Sequence, residues 1–103
     1  MNDNILFTSS AEKDLEEIFG WYEQKRAGLG YDFLLHIEAA TNLLSYAPLI
    51  NRPLYKNVRR HIIKRFPYKI FYLLDNEKVV VLAVIHAGRD PNWIRDRLNE
   101  QLN

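Results

Sequence analysis

The 103-residue sequence contains no cysteine. This excludes disulfide frameworks, thiolate zinc ribbons, iron–sulfur clusters and thiol nucleophiles together, and it fits a reducing compartment. Glycine and proline are scarce, at four each, and no low-complexity tract, internal repeat or Gly/Ser-rich linker occurs. Long apolar runs are also missing. The longest, Val79 to Ile85, has seven residues, whereas a membrane-spanning helix needs about 20. The opening Met1-Asn2-Asp3-Asn4 with its few apolar successors is too short and too acidic for a secretory leader. The three histidines, His36, His61 and His86, stand 25 residues apart with no HxH or HExxH spacing, so neither a metal nor a cofactor is expected. Gly28 and Gly30 lack the strand–turn–helix setting of a dinucleotide loop, and no Walker or nucleophile-elbow motif is present.

What the sequence does contain is a hydrophobic fraction of 48% and an aromatic fraction of 13%, as expected of one globular domain spanning residues 1–103. A chain of this length buries roughly two-thirds of its unfolded surface, enough for a core without staples. The net charge of +1 conceals a division. Residues 1–50 carry three basic residues against eight acids, and residues 51–103 carry eleven against five. The acidic half and the basic half predict two faces of opposite sign, the basic one suited to a polyanion or an acidic peptide.

Ile5 to Thr8 reads as a short first strand. Ser9-Ser10-Ala11-Glu12 then offers a capping box, placing a helix start near Ser10. Ala11, Leu15, Ile18, Phe19 and Tyr22 recur at helical spacing, with Glu12, Lys13, Glu16, Glu17, Glu23 and Gln24 on the other side. Gly28-Leu29-Gly30 breaks this helix. A second apolar set, Phe33, Leu34, Ile37, Thr41 and Leu44, runs to Pro48, and so short a connection predicts an antiparallel helical hairpin. Beyond the turn-rich Asn51 to Leu54, three strands are expected: Val58 to Phe66, Tyr68 to Leu74 and Lys78 to His86. Pro67 marks a turn or bulge, and Asp75-Asn76-Glu77 a hairpin turn. Asp90 as N-cap with Pro91 at the first helical position opens a short helix, Pro91 to Leu98. The expected fold is α+β, β-α-α-β-β-β(-α), with the hairpin on one face of a mainly antiparallel four-stranded sheet.

Two segments concentrate chemistry. In Lys56 to Lys69, strand alternation puts Arg60 and Lys64 on one face with Val58 and Ile62, and Arg59, His61 and Arg65 on the other. Such a strand is either an edge protected by its charges or an anion-binding surface interleaved with Tyr68 and Tyr72. The second segment, His86-Ala87-Gly88-Arg89-Asp90-Pro91-Asn92-Trp93, follows the most apolar strand and puts a histidine and an arginine at its end, where ligands are often met. The structural alternatives are an Arg89 paired with a nearby acid and a Trp93 that caps the core. His36, within the second helix, reads as structural.

The order and spacing of several pieces resemble the RelE/ParE superfamily of type II toxin–antitoxin toxins over nearly the whole chain. They are Ala11-x-x-Asp14-Leu15-x-x-Ile18 with Trp21-Tyr22-Glu23, Gly28-Leu29-Gly30 with Phe33-Leu34, Val58-Arg59-Arg60, Arg65-Phe66-Pro67-Tyr68-Lys69-Ile70-x-Tyr72, and Val79 to Val84 with His86-x-x-Arg89-Asp90-Pro91-x-x-Trp93. The resemblance implies a cytoplasmic growth inhibitor, of the kind that stabilises plasmids, neutralised by an antitoxin whose disordered, often acidic segment folds across helices and sheet, within a toxin–antitoxin hetero-oligomer. RelE-like members cut mRNA on the ribosome without a metal. That reading implies Arg60, Lys69 and Arg89 as phosphate-stabilising groups and His86 as general acid or base, although this chain lacks the Tyr or His that ribonuclease members often carry near the C-terminus. ParE-like members bind DNA gyrase without chemistry of their own, and Phe66-Pro67-Tyr68 and Arg89-Asp90-Pro91 look more like that branch. Gyrase binding is therefore the preferred reading, with Arg59, Arg65, Trp93, Arg95 and Arg97 as target-binding residues. Leu15, Phe19, Leu34 and Arg60 are the expected antitoxin contacts. A third reading is a non-toxic member that only binds its antitoxin.

Overall fold

A computed structural model describes residues 3–102. Its elements run β1 (Ile5–Phe7), α1 (Ser9–Lys25), α2 (Leu29–Tyr46), β2 (Pro53–Tyr55), β3 (Val58–Ile62), β4 (Tyr68–Asp75), β5 (Lys78–His86) and α3 (Pro91–Leu102). The strands form one sheet in the order β1-β5-β4-β3-β2, antiparallel except where β1 runs parallel to β5. The expected α+β class holds, with five strands rather than four. The additional strand, β2, begins within the stretch expected to be turns and runs one residue past it. Proline has no N–H to give a ladder, and Pro53 is accommodated because β2 is the outermost strand. The strand expected to reach Phe66 stops at Ile62, where the chain turns and the Ile63 N–H closes onto the Tyr68 carbonyl at 3.0 Å.

α1 is capped one residue earlier than the serine pair predicts. The Thr8 Oγ1 accepts the Ala11 N–H at 3.1 Å, and the same hydroxyl donates to the Leu82 carbonyl at 3.2 Å. Thr8 therefore ends β1 and starts α1 while bonded to β5. The second helix is capped from the first. Gly28 adopts a left-handed φ of +91°, and the Glu23 carboxylate accepts the Gly28 and Gly30 N–H groups at 3.1 and 2.8 Å. Gly30 sits so close to α1 that a Cβ would lie 2.7 Å from the Phe19 ring and backbone oxygen.

Between Phe71 and Tyr72 the β4–β5 register slips, leaving Leu82 as the extra residue of a bulge. Val81 and Val84 consequently face the helical hairpin, while Leu82 and Ala83 both face α3. The hairpin side of the core contains Ala11, Ile18, Tyr22, Phe33, Ile37, Leu44, Ile70 and Tyr72, and the α3 side contains Val58, Phe71, Ile85 and Leu98. Helices thus cover both faces. In the β4–β5 hairpin, Asn76 and Glu77 have φ of 50° and 67°, the two positive angles of a type I′ turn.

Candidate functional site

Alternation along β3 sends Arg60 to the α3 face, opposite Phe71, and sends Arg59 and His61 to the hairpin face, opposite Tyr72 and Ile70. These two sets have different surroundings.

On the α3 face, Arg60 from β3, Lys69 from β4, Arg89 from the β5–α3 connection and Arg95 from α3 converge on one cleft of about 280 Å³. Its apolar lining includes Leu54, Phe71, Ile94 and Leu98, so the cations ring a hydrophobic floor. Among the described residues, no carboxylate or imidazole lines it. Among the described residues, none of the four cations makes an ion pair; the one salt bridge is made elsewhere. Two of them rest on aromatic faces, Arg89 at 4.0 Å from the Trp93 ring centroid and Arg95 at 5.2 Å from that of Tyr55. Tyr55 also donates to Asn99 Oδ1 at 2.7 Å, and Lys56 Nζ reaches the same oxygen at 3.3 Å, which ties the β2–β3 turn to α3. The helix repeat Ile94, Leu98, Leu102, with Arg95 and Asn99 one residue on, is the sequence signal that locates this wall. The contributions of Leu54, Tyr55 and Phe71 are not readable locally, because the sheet register brings them in.

His86 is not in the cleft. Its ring meets Tyr68 edge-on at 5.3 Å, its Nδ1 accepts the Gly88 N–H at 2.9 Å, and it lines a separate crevice with Glu17, Tyr68, Trp93 and Arg97. Arg89 borders both spaces. Trp93 is 38% exposed, and Arg65 is exposed in the β3–β4 turn.

On the hairpin face, Arg59 and His61 fasten the segment between α2 and β2. Arg59 donates to the Asn51 carbonyl, Asn51 Nδ2 lies 3.0 Å from His61 Nδ1 and 3.2 Å from the Tyr72 hydroxyl, and that hydroxyl donates to the Pro48 carbonyl at 2.9 Å. With Asn51 donating, His61 Nδ1 accepts, so the ring is neutral, and burial pushes its pKa below the usual imidazole value. His36 is likewise engaged, donating from Nδ1 to the Asp32 carbonyl at 2.8 Å and packing against Phe66.

Arg97 lies in a partly buried bridge with Asp14 at 2.7 Å and also donates to Ser10 Oγ at 2.9 Å. Asp14 in turn accepts the Val84 N–H at 2.9 Å, beyond the point where β1 stops pairing with β5. Leu15, Phe19 and Leu34 meet in a groove on the helical hairpin with Tyr31, Glu12 and Glu16. Arg60, expected with them, is in the cleft on the other side of the sheet. Tyr22 and Tyr68, from the quoted motifs, pack with Phe33 and Phe66 in one aromatic cluster. Burial holds both phenols above their ordinary pKa.

A helical hairpin on one sheet face and an acid-free basic cleft under a third helix on the other define a small toxin of the RelE/ParE kind, and comparison with known proteins bears this out. Residues 5–91 match the family described as the ParE toxin of the type II toxin–antitoxin system, parDE, and the chain belongs to that family. Toxin ParE2 of Mycobacterium tuberculosis, strains CDC 1551 / Oshkosh and ATCC 25618 / H37Rv, is 27% identical over 100 residues, spanning 96% of this chain and 95% of the relative. A solved structure, the chromosomal ParDE TA system from P. aeruginosa, superposes with a TM-score of 0.74 at 17% identity, over 82% of this chain and 96% of the other. The protein is thus the toxin member of a type II toxin–antitoxin system. Among the described residues, no helix is long and apolar enough to cross a membrane.

Proposed function

We propose that this toxin arrests growth by binding DNA gyrase through the basic cleft, without chemistry of its own, and that a cognate antitoxin with a disordered segment covers it in a cytoplasmic hetero-oligomer. The observation that carries this reading is the composition of the cleft: four cations on an apolar floor, with no carboxylate or imidazole among the described residues that line it to move a proton near neutral pH. Cations on an apolar floor suit recognition of an acidic protein surface, with charge governing the encounter and the buried floor holding the complex. The likeness to proteins named ParE2 and ParDE supports the same branch.

Purified toxin is expected to inhibit gyrase supercoiling or to trap gyrase on cleaved DNA, and Lys69→Gln combined with Arg89→Gln is expected to lose that effect. Full supercoiling at a large excess of folded toxin would sink the proposal. The convergence of Arg60, Lys69 and Arg89 also favours a second reading, a ribosome-dependent endoribonuclease in which these groups stabilise a charged phosphate transition state. Codon-associated cuts in a translated message, revealed by toeprinting and lost in the same variant, would establish it in place of the first.

A further inference from the structure

Two recesses on this molecule carry opposite charge. The hairpin groove, about 350 Å³, has an apolar base of Leu15, Phe19, Tyr31 and Leu34, and its charged lining consists of Glu12 and Glu16. These glutamates are four residues apart on α1, so they stand one turn apart on the same face. Among the described residues, no cation lines the groove. The hairpin as a whole, residues 9–46, carries seven acids against Lys13, Lys25 and Arg26, and Lys25 is drawn away over the Trp21 ring at 4.7 Å. The cleft on the other side of the sheet is the reverse, lined by four cations and no acid. A neighbouring recess at the β2–β3 edge shares Leu54 and Arg60 with the cleft and adds Arg52.

A uniformly acidic partner chain is attracted to the cleft and repelled at the groove. A uniformly basic one has the opposite difficulty. We infer that the antitoxin chain covering this toxin is segregated by charge, with an aliphatic segment flanked by Lys or Arg for the hairpin groove and a separate acidic segment for the cleft. The inference rests on the reading of this protein as a toxin with an antitoxin partner. Aliphatic burial supplies the affinity in the groove, and the charges decide which segment sits where, because exposed pairs contribute little individually yet like charges in contact exclude wrong registers. In the cleft, an acidic peptide suits the floor better than a single-stranded nucleic acid does. The nearby Tyr55 and Trp93 rings already carry Arg95 and Arg89 on their faces, and the floor is mostly aliphatic, which offers a base little surface for stacking.

Two synthetic peptides with one shared aliphatic pattern test this, one flanked by lysines and one by glutamates, each titrated into the isotope-labelled full chain while backbone amide shifts are followed. The lysine peptide is expected to move the amides of Leu15, Phe19, Tyr31 and Leu34, and the glutamate peptide those of Arg60, Lys69, Phe71 and Arg89. Both responses should weaken in about 0.5 M salt, where charges are screened beyond roughly 4 Å. Glu16→Lys, outside the first turn of α1, should weaken the lysine peptide about tenfold, as expected of a replaced attractive contact, and leave the glutamate peptide unchanged. Exchange of the two peptides between sites, binding of neither, or indifference to Glu16→Lys overturns the inference. So does a concentration-dependent shift at both recesses without peptide, which assigns them to a second copy docking head to tail. Loss of growth inhibition on expression bears on the toxin reading alone, since the peptide mapping does not depend on it.

Discussion

Asp14 and Arg97, 83 residues apart, meet at 2.7 Å, and the same Asp14 oxygen accepts the Val84 N–H at 2.9 Å. One carboxylate on α1 therefore holds α3 by charge and β5 by its backbone. Asp14→Ala is expected to cost about 2–3 kcal/mol, since it strands a partly buried guanidinium and a strand N–H together. Urea denaturation measures this, and a loss below about 0.5 kcal/mol, the range of an exposed pair, would show that the bridge is ornamental. Arg97→Met in the Asp14→Ala background should cost much less than in the wild type, because the two residues share one interaction.

Gly30 permits the closest approach of the two hairpin helices. A methyl group there would meet Phe19 and the α1 backbone at 2.7 Å and the Glu23 side chain at 2.8 Å. Gly30→Ala is expected to lose about 2 kcal/mol despite alanine's better helix propensity, because overpacking outweighs a gain of about 1 kcal/mol. Thermal unfolding gives the sign, and a stabilised variant would refute the close packing.

At Glu77 the opposite sign is expected. Its φ of 67° is unfavourable for a side chain, and a type I′ turn prefers glycine at this second central position after asparagine. Glu77→Gly should stabilise the protein by about 0.5–1 kcal/mol, read as a higher urea midpoint at unchanged slope.

The neutral His61 links stability to pH. Its folded pKa lies below the unfolded value of about 6.5, so below that pH the unfolded chain binds more protons. The histidine's contribution is complete above pH ~6.5 and is lost as the pH falls through the window down to the folded pKa. Urea midpoints measured from pH ~8 to ~5 should fall more steeply for the wild type than for His61→Gln, which keeps a polar group beside Asn51 but does not titrate. Parallel curves would mean that the ring is free to protonate where it stands.

The four cations of the cleft repel one another in the free toxin, and unit charges 8 Å apart in water do so by about 0.5 kcal/mol per pair. Arg60→Gln with Lys69→Gln should raise the melting temperature in low salt while lowering toxicity, and the gain should vanish in about 0.5 M salt. Lower stability at both salt concentrations would mean that these side chains support the fold.

Where local pattern decides structure, the sequence was sufficient. The strand Lys78–His86, the turn after Asp75 and the helix opened by Asp90-Pro91 all carry their signals within a few residues. Arg60 and Lys69 come together because strand alternation and register place them on one face, and the β5–α3 connection brings Arg89 beside them. What stayed hidden depends on partners far away in the chain. Thr8 displaces the serines as cap because the end of a parallel strand puts its hydroxyl beside Leu82, and the bulge at Leu82 itself has no glycine to mark it. Arg59, His61 and Arg97 look like free surface groups until Asn51 and Asp14 arrive from other elements, and His86 faces Tyr68 because the β4–β5 register sets the two directly opposite each other.

The parallel pairing of β1 with β5 also sets a schedule for synthesis. The contacts that seat the start of the chain, Thr8 to Leu82, Asp14 to Val84 and Asp14 to Arg97, span 74, 70 and 83 residues. At roughly 5–20 residues per second, the ribosome needs about 4–17 s between Asp14 and Arg97. During that interval β1 has no β5 to pair with and the cleft has no α3 wall. The proposed binding surface is therefore complete only once α3 has been made.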